Sequence, residues 1–189
     1  MLSQLKPALM MTLLLTVITG AFYPATVTVI AQLLFPHQAN GSLIEGNGGT
    51  IGSELIGQNF SRADYFHPRP SAAGTEGYDA AASGGSNLGP TSRTLASRID
   101  SLVRTRHAEN PAAPVPIDLV TASASGLDPD ITPAAAEFQI PRVAHARGLS
   151  EEKVRELVRA SITSRQLGVL GEPRVNVLQL NRSLERFGR

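Results

Sequence analysis

A long apolar segment near the N-terminus constrains this chain more than any other feature. It starts at Ala8 and runs for 28 residues without an Asp, Glu, Lys, Arg or His, and 20 of the 28 are hydrophobic. A helix from Ala8 to Leu34 would be roughly 40 Å long, and a bilayer core is about 30 Å thick. We therefore predict a transmembrane helix over about residues 8–34, with a kink at Pro24 and a stop at Pro36.

A cleaved signal peptide is the alternative interpretation of this segment. Lys6, an apolar run and the small residues Gly20 and Ala21 fit such a peptide. The uncharged stretch, however, continues for more than ten residues beyond Ala21, which a signal peptide does not need. The length therefore favours a retained single-pass anchor.

The charges that flank the apolar segment predict its orientation. Lys6 and the α-amine precede it, and the next Lys or Arg is Arg62. The positive-inside rule then places the N-terminus in the cytoplasm and the rest of the chain outside it. We expect an N-terminal membrane segment, 1–36, followed by one small extracytoplasmic domain, 37–189.

Small residues recur along one face of the predicted helix. Thr12, Thr16 and Gly20 are spaced at i, i+4 and i+8, which would let another helix approach closely. Threonine is also harmless in any membrane helix, so a packing face and a chance pattern are both open.

The remainder of the chain predicts an α+β domain with few strands. Residues 37–50 are Gly-rich and indicate a hairpin or a hinge that leaves the membrane. Residues 61–90 are irregular, and the stretch of Leu55, Ile56 and Phe60 predicts a strand or short helix. Helices are expected after the caps Thr91 or Ser92, Thr132 and Ser150. The second of these helices should be interrupted or kinked at Pro141 and end at Gly148. Strands are expected at Ile117–Thr121 and Val175–Leu178. A basic tail covers Arg182–Arg189.

Composition excludes several classes of function. The net charge is +1, which gives no overall bias toward nucleic acid, and the chain has no cysteine for disulfides, thiolate metal sites or a cysteine nucleophile. The four histidines are far apart in the sequence, and Asp118, Asp128 and Asp130 fit turns and helix caps. We predict neither a metal site nor a catalytic site.

Two motifs keep other functions open. Ser150 and Lys153 match the S-x-x-K spacing of serine acyl enzymes, which would make the chain a membrane-anchored enzyme, although Ser150 is also explained as an N-cap. The stretch Ser83-Gly84-Gly85-Ser86-Asn87 could form a nest for an anion such as a nucleotide phosphate. It lacks the Lys and Ser/Thr of a Walker loop, so a turn or recognition loop is favoured.

Six blocks of the sequence carry recognisable motifs: Phe35–Leu43, Gly52–Phe60, Tyr65–Ala72, Ser83–Pro90, Val115–Pro129 and Gly171–Asn181. In this order along the chain, they resemble the C subunit of the Kdp potassium-transporting P-type ATPase. At the position after Asp128-Pro129, where the resemblance leads us to expect histidine, this chain has Asp130.

The resemblance implies an accessory, non-enzymatic subunit of an inner-membrane complex for high-affinity potassium transport. Its partners would be a channel-like potassium-binding subunit and a P-type subunit that hydrolyses ATP. The subunit would assemble or stabilise the complex, and some accounts make it a catalytic chaperone that raises the ATP affinity of the hydrolysing subunit. It would hold no cofactor of its own, and ATP would enter only through the complex.

The resemblance also suggests which residues make contacts. The Ser83–Asn87 loop is implied as a nucleotide contact, but an extracytoplasmic domain cannot reach cytoplasmic ATP. We therefore expect any effect on ATP affinity to act as coupling between distant sites. The expected partner contacts are Arg69 and Ser83, Gly84, Gly85, Ser86 and Asn87 in the domain, and Thr12, Thr16 and Gly20 in the membrane.

Overall fold

The computed structural model describes residues 4–46 and 48–187. The chain divides into two compact units, Met1–Ile51 and Gly52–Arg189. The predicted fold class is confirmed: one N-terminal apolar helix is followed by a small domain of helices and short sheets, which is an α+β arrangement. The division into a membrane segment 1–36 and a domain 37–189 refers to the bilayer boundary and stays a prediction.

The first unit is dominated by one long apolar helix. It consists of α1 (Leu5–Val17), a π-helical turn (Ile18–Phe22) and α2 (Tyr23–Leu34), and these 30 residues are long and apolar enough to cross a membrane. The π turn ends at Phe22, two residues before Pro24, where the sequence predicts a kink. The Tyr23 N–H donates to the carbonyl of Ile18, five residues back. A short helix, α3 (Pro36–Ala39), follows the predicted stop.

A hairpin follows α3, as the Gly-rich sequence predicts. Strands β1 (Leu43–Gly46) and β2 (Gly49–Ser53) pair in a two-stranded sheet. Asn47, which the sequence places in the turn, lies outside the described residues.

Three helices of the second unit begin at hydroxyl caps. Ser92, Thr132 and Ser150 each accept a hydrogen bond from a backbone N–H three residues ahead, at 3.4, 3.1 and 3.5 Å. These bonds start α4 (Arg93–Glu109), α5 (Pro133–Arg147) and α6 (Glu151–Ala160). Helix α5 ends at Gly148 as predicted, with φ at 65°.

The predicted interruption of α5 at Pro141 is wrong, because the helix continues through this residue. Proline removes one backbone hydrogen bond from a helix. The neighbouring Ile140 and Val143 are completely buried, and the burial of this apolar face keeps the helix intact around Pro141.

A three-stranded antiparallel sheet lies beside these helices in the order β3 (Asp130–Ile131), β5 (Arg174–Asn176), β4 (Ile162–Thr163). The strand predicted over Val175–Leu178 is therefore too long, because α7 (Val177–Phe187) begins at Val177. The described part of the predicted basic tail, up to Phe187, forms the last turns of α7. Leu180 and Leu184 of that helix are fully buried, and such burial favours the amphipathic helix.

Two other sequence predictions are wrong. Ile117–Leu119 is a 3-10 turn and not a strand, with Ile117 exposed and Leu119 buried. The stretch from Leu55 to Phe60 forms turns and irregular backbone, in which Leu55 is exposed and Phe60 packs at the edge of the core. Both runs are too short for periodicity to decide their structure. Residues 61–90 are irregular as predicted, apart from a 3-10 turn at Ala80–Ala82.

The hydrophobic core lies between α5, α6, α7 and the three-stranded sheet. The irregular segment contributes Phe66, which is fully buried in this core. A segment without regular structure is thus part of the folded domain, and the contacts that hold it in place shape one surface of that domain.

Candidate functional site

Two buried amide side chains hold the irregular segment against the helices. Asn181 on α7 accepts from the N–H of Phe66 at 2.8 Å and donates to the carbonyl of the same residue at 3.0 Å. Gln139 on α5 does the same for His67, at 2.7 and 3.1 Å. The amides satisfy backbone groups that a neighbouring strand would otherwise satisfy. The two amide side chains thereby fix the path of the backbone that leads to Arg69.

The predicted contact loop packs against a second loop, and the two form one surface. Ser83 Oγ donates to the carbonyl of Ser125 at 3.1 Å, and the N–H of Gly84 donates to the same oxygen at 2.8 Å. Gly84, Gly85 and Ser86 are half-buried, whereas Ser83 and Asn87 are exposed. We call Arg69, Ser83–Asn87 and Ser123–Asp128 the glycine-loop surface.

Glycine is required on this surface because backbones approach closely. A Cβ atom built on Gly85 would lie 3.0 Å from the carbonyl oxygen of Ala124. A Cβ on Gly126 would lie 2.6 Å from the carbonyl oxygen of Gly84. The Gly84 N–H, which an anion nest would need, is already bonded inside the protein. These glycines therefore have a packing role.

Arg69 joins the glycine-loop surface through Asp128. Its Nη1 donates to Asp128 Oδ2 at 2.9 Å, and both side chains are about one-quarter exposed. The Tyr78 hydroxyl donates to the carbonyl of Arg69. The sequence analysis groups Arg69 with the Ser83–Asn87 loop as partner contacts, and in the structure the Ser123–Asp128 segment connects the two.

The predicted packing stripe lies on the helix of the first unit. Thr12 and Thr16 are on α1, and Gly20 is in the π turn, where a Cβ would be 4.0 Å from the Thr16 methyl carbon. All three are exposed, so the stripe is an accessible face of the helix. Its role in packing stays a prediction.

Ser150 acts as a helix cap. Its hydroxyl accepts from the N–H of Lys153 at 3.5 Å, and both residues are exposed at the start of α6. The S-x-x-K spacing is therefore explained by the capping geometry.

The aspartates near β3 have structural partners. Asp118 accepts from the N–H and the hydroxyl of Thr132 at 2.7 and 3.2 Å, and Asp130 pairs with Arg174 at 2.9 Å. Burial raises the pKa of Asp130 above its usual range. Within residues 4–46 and 48–187, no group of three or more His, Asp or Glu side chains is placed to hold a metal ion.

A charged network beside the glycine-loop surface is not evident from the sequence. Arg106 on α4 donates to Glu109 at 2.6 Å and to His67 Nδ1 at 3.1 Å. Arg142 on α5 lies 3.3 Å from the other oxygen of Glu109. His67 Nε2 is 3.1 Å from the carbonyl of Arg62, so Nε2 carries the proton and the ring is neutral. The members come from three distant parts of the sequence, and only the Arg106–Glu109 spacing hints at them.

The network predicts a pH dependence of stability. Burial, and then the charge of Arg142, lower the pKa of His67 below its ordinary value of about 6.5. Arg106 lowers it as well, whereas the Arg62 carbonyl and Glu109 oppose the shift. The unfolded chain binds a proton at a higher pH than the folded chain, so His67 lowers stability as the pH falls below about 6.5. This loss of stability ends once the pH is below the pKa of His67 in the folded chain.

We therefore expect the unfolding midpoint temperature of the full chain to fall between pH 7 and pH 5. In His67→Gln this part of the pH dependence should be absent, because glutamine does not titrate. The measurement is thermal unfolding of both proteins in detergent across the range. Parallel curves for the two proteins would contradict the assignment of a neutral His67.

A second feature, also not singled out by the sequence patterns, is an exposed apolar turn. Gln166 and Leu170 pair across it, and Leu167 is 90% exposed with Val169 72% exposed. Leu167 has a φ of 52°, in the left-handed region. The run Leu-Gly-Val-Leu is the sequence signal for this feature, since exposed apolar side chains on a turn are typical of contact surfaces.

Comparisons with known proteins agree with the sequence resemblance. The family model "KdpC: K+-transporting ATPase, c chain" matches residues 5–186. A potassium-transporting ATPase KdpC subunit from Bradyrhizobium diazoefficiens is 56% identical over 197 residues, covering 98% of each chain. The KdpC subunit of Gemmatimonas aurantiaca is 59% identical over 186 residues, covering 98% of this chain and 94% of the relative. The chain belongs to the KdpC family of K+-transporting ATPase c chains.

Proposed function

We propose that the chain is an accessory, non-enzymatic subunit that assembles and stabilises its potassium-transport complex. Family membership makes it a subunit of a K+-transporting ATPase, which works with other Kdp subunits. Ser150, whose spacing to Lys153 suggested a catalytic serine, caps α6 instead. The chain's part in transport is then to hold other subunits rather than to carry out a reaction.

The observation that carries this proposal is the apolar surface that the protein leaves uncovered. The Leu5–Leu34 helix buries none of its own described residues inside this chain, and the turn at Leu167 adds a second apolar patch. Large exposed apolar surfaces need lipid or protein to cover them. In our proposal the helix crosses the inner membrane once, with the N-terminus in the cytoplasm and the domain in the periplasm, as the Lys6 asymmetry favours.

The proposed partner of the helix is the channel-like, potassium-binding subunit. The stripe of Thr12, Thr16 and Gly20 is accessible, and small residues let two helix backbones come close in a membrane. The glycine-loop surface and the Leu167 turn are the proposed contacts of the domain with the same partner.

We also propose that any effect on the ATP affinity of the hydrolysing subunit is indirect. A periplasmic domain cannot touch cytoplasmic ATP, so the effect would pass through the membrane subunits as a coupling free energy. The bonded Gly84 N–H favours this route over direct nucleotide binding by the Ser83–Asn87 loop.

Gly20→Leu tests the assembly function. We expect the variant to lower co-purification of the channel-like subunit several-fold, because a leucine side chain separates helices that glycine lets approach. The measurement is affinity purification of the tagged full chain from membranes, with the amount of each accompanying subunit determined.

Ala21→Leu is the matched control, since it adds the same side chain one residue away on a different face of the helix. It should leave co-purification unchanged. If the two variants behave alike, the stripe is not the contact. If even the unsubstituted chain brings down no other subunit, the assembly function itself is wrong.

A further inference from the structure

The second unit contains a cavity of about 280 Å³ between the irregular segment and α4. Its wall includes the polar side chains of His67, Arg69, Tyr78 and Arg106, and Phe60 and Leu102 contribute apolar surface. Two arginine side chains thus line one small depression that also has hydrophobic surface.

Both arginines keep a hydrogen-bond donor unused. Arg69 uses Nη1 for Asp128, and Arg106 uses Nη1 for Glu109 and His67. Among the described residues, the Nε atoms of Arg69 and Arg106 are buried and have no hydrogen-bond partner. Leaving a buried donor of a charged group unpaired is costly, so such donors indicate a ligand.

The cluster around the cavity also has more positive than negative charge. Arg106 and Arg142 share the single carboxylate of Glu109, and Arg69 pairs with Asp128. Three guanidinium groups therefore form ion pairs with only two carboxylates. His67 is neutral and accepts a hydrogen bond from Arg106 at Nδ1, so it adds no negative charge. One further negative charge would balance the cluster.

We propose that this cavity binds a carboxylate group between Arg69 and Arg106. A carboxylate supplies one negative charge and two acceptor oxygens, which match the surplus charge and the two arginine side chains that line the cavity. A rotation of either guanidinium group towards the cavity would also give its buried Nε a partner. Phe60 and Leu102 would contact the carbon atoms that carry it. The carboxylate belongs either to a small free acid or to an acidic side chain of another subunit. This goes beyond the proposed assembly function, which does not require it.

The test uses acetate as the probe and the full chain in detergent. Saturation-transfer NMR detects weak binding through the acetate methyl signal, and chloride at equal ionic strength controls for salt. We expect saturable transfer to acetate and no transfer to methylammonium, a cation of similar size. Absence of transfer to acetate would overturn the proposal.

Arg106→Gln should weaken acetate binding at least tenfold. Arg104→Gln is the matched control, because Arg104 lies on the same helix but is exposed and pairs with Asp100. Equal binding by these two variants would overturn the proposal. If Arg106→Gln does not unfold cooperatively, Arg69→Gln tests the opposite wall with the same criterion.

The assembled complex then identifies the source of the carboxylate. Acetate binding that is present in the isolated chain but lost in the purified complex means that a partner's acidic side chain fills the cavity. Binding that persists in the complex means a free acid. A failure of this binding would leave the co-purification of subunits unaffected, so the two proposals are tested separately.

Discussion

Gly126→Ala should destabilise the second unit by about 3 kcal/mol or more, the largest loss of stability that we expect from a single substitution in this domain. Gly126 has a φ of +68°, and a Cβ there would lie 2.6 Å from the carbonyl oxygen of Gly84 and 2.8 Å from the backbone nitrogen of Ala73. Backbone atoms cannot move aside as a flexible side chain can. Three chain segments would have to separate, and the glycine-loop surface would open.

Gly148→Ala is the control for this prediction. Gly148 has a φ of +65°, but a Cβ there meets no heavy atom within 4 Å. Its cost should be only the backbone strain of a left-handed alanine, about 1 kcal/mol. Urea unfolding of the full-length variants in detergent measures both. Equal losses would show that the close approach at Gly126 does not limit stability.

Asn181→Leu should cost about 3 kcal/mol, the second largest effect, because each unpaired buried backbone group costs about 1–3 kcal/mol. The two side chains are of similar size, but leucine leaves the N–H and the carbonyl of Phe66 without partners in the core. The irregular segment should also detach locally, which would expose Phe66.

Limited proteolysis with chymotrypsin, together with thermal unfolding, measures this result. We expect faster cleavage near Phe66 and a lower midpoint temperature. Gln179→Leu is the matched control, because it makes the same change of an amide to leucine at an exposed position of α7. If cleavage is equally fast in both variants, the amide pairing does not hold the segment.

Local signals in the sequence were sufficient for several elements. Thr132 and Ser150 were predicted as caps, and either Thr91 or Ser92 as a third, because a cap depends only on a hydroxyl and the next three residues. The structure has Ser92 as that third cap. The apolar segment was predicted from length and lack of charge, and the α+β class from the mixture of helical and extended patterns. The three caps, the apolar helix and the α+β class are confirmed, and the crossing of a membrane by that helix stays a prediction.

Short apolar runs were not predictable in the same way. Ile117–Thr121 and Val177–Leu178 fit a strand as well as a helix, because so few residues do not separate the two periods. In the structure, burial decides: Val177, Leu180, Asn181 and Leu184 are all buried, and their i, i+3, i+4, i+7 spacing lies on one face of a helix but on both faces of a strand. The predicted interruption at Pro141 failed for a similar reason, since local propensity is overridden by a buried helix face.

The residues of the candidate sites also differ in whether the sequence predicts them. Arg69 and the Ser83–Asn87 loop were predicted by resemblance, whereas the His67–Arg106–Glu109–Arg142 network gave almost no local signal. Its members lie up to 75 positions apart in the sequence, and tertiary contacts alone bring them together.

The sequence by itself determined that the chain has one apolar helix, a small α+β domain and capped helices, because hydrophobic length and caps act over a few neighbouring residues. Only the tertiary structure decided that two amides hold an irregular segment in place, that glycines on separate loops touch backbone to backbone, and that two arginines share a cavity. Those features depend on distances between residues far apart in the chain, and such distances exist only once the core has packed.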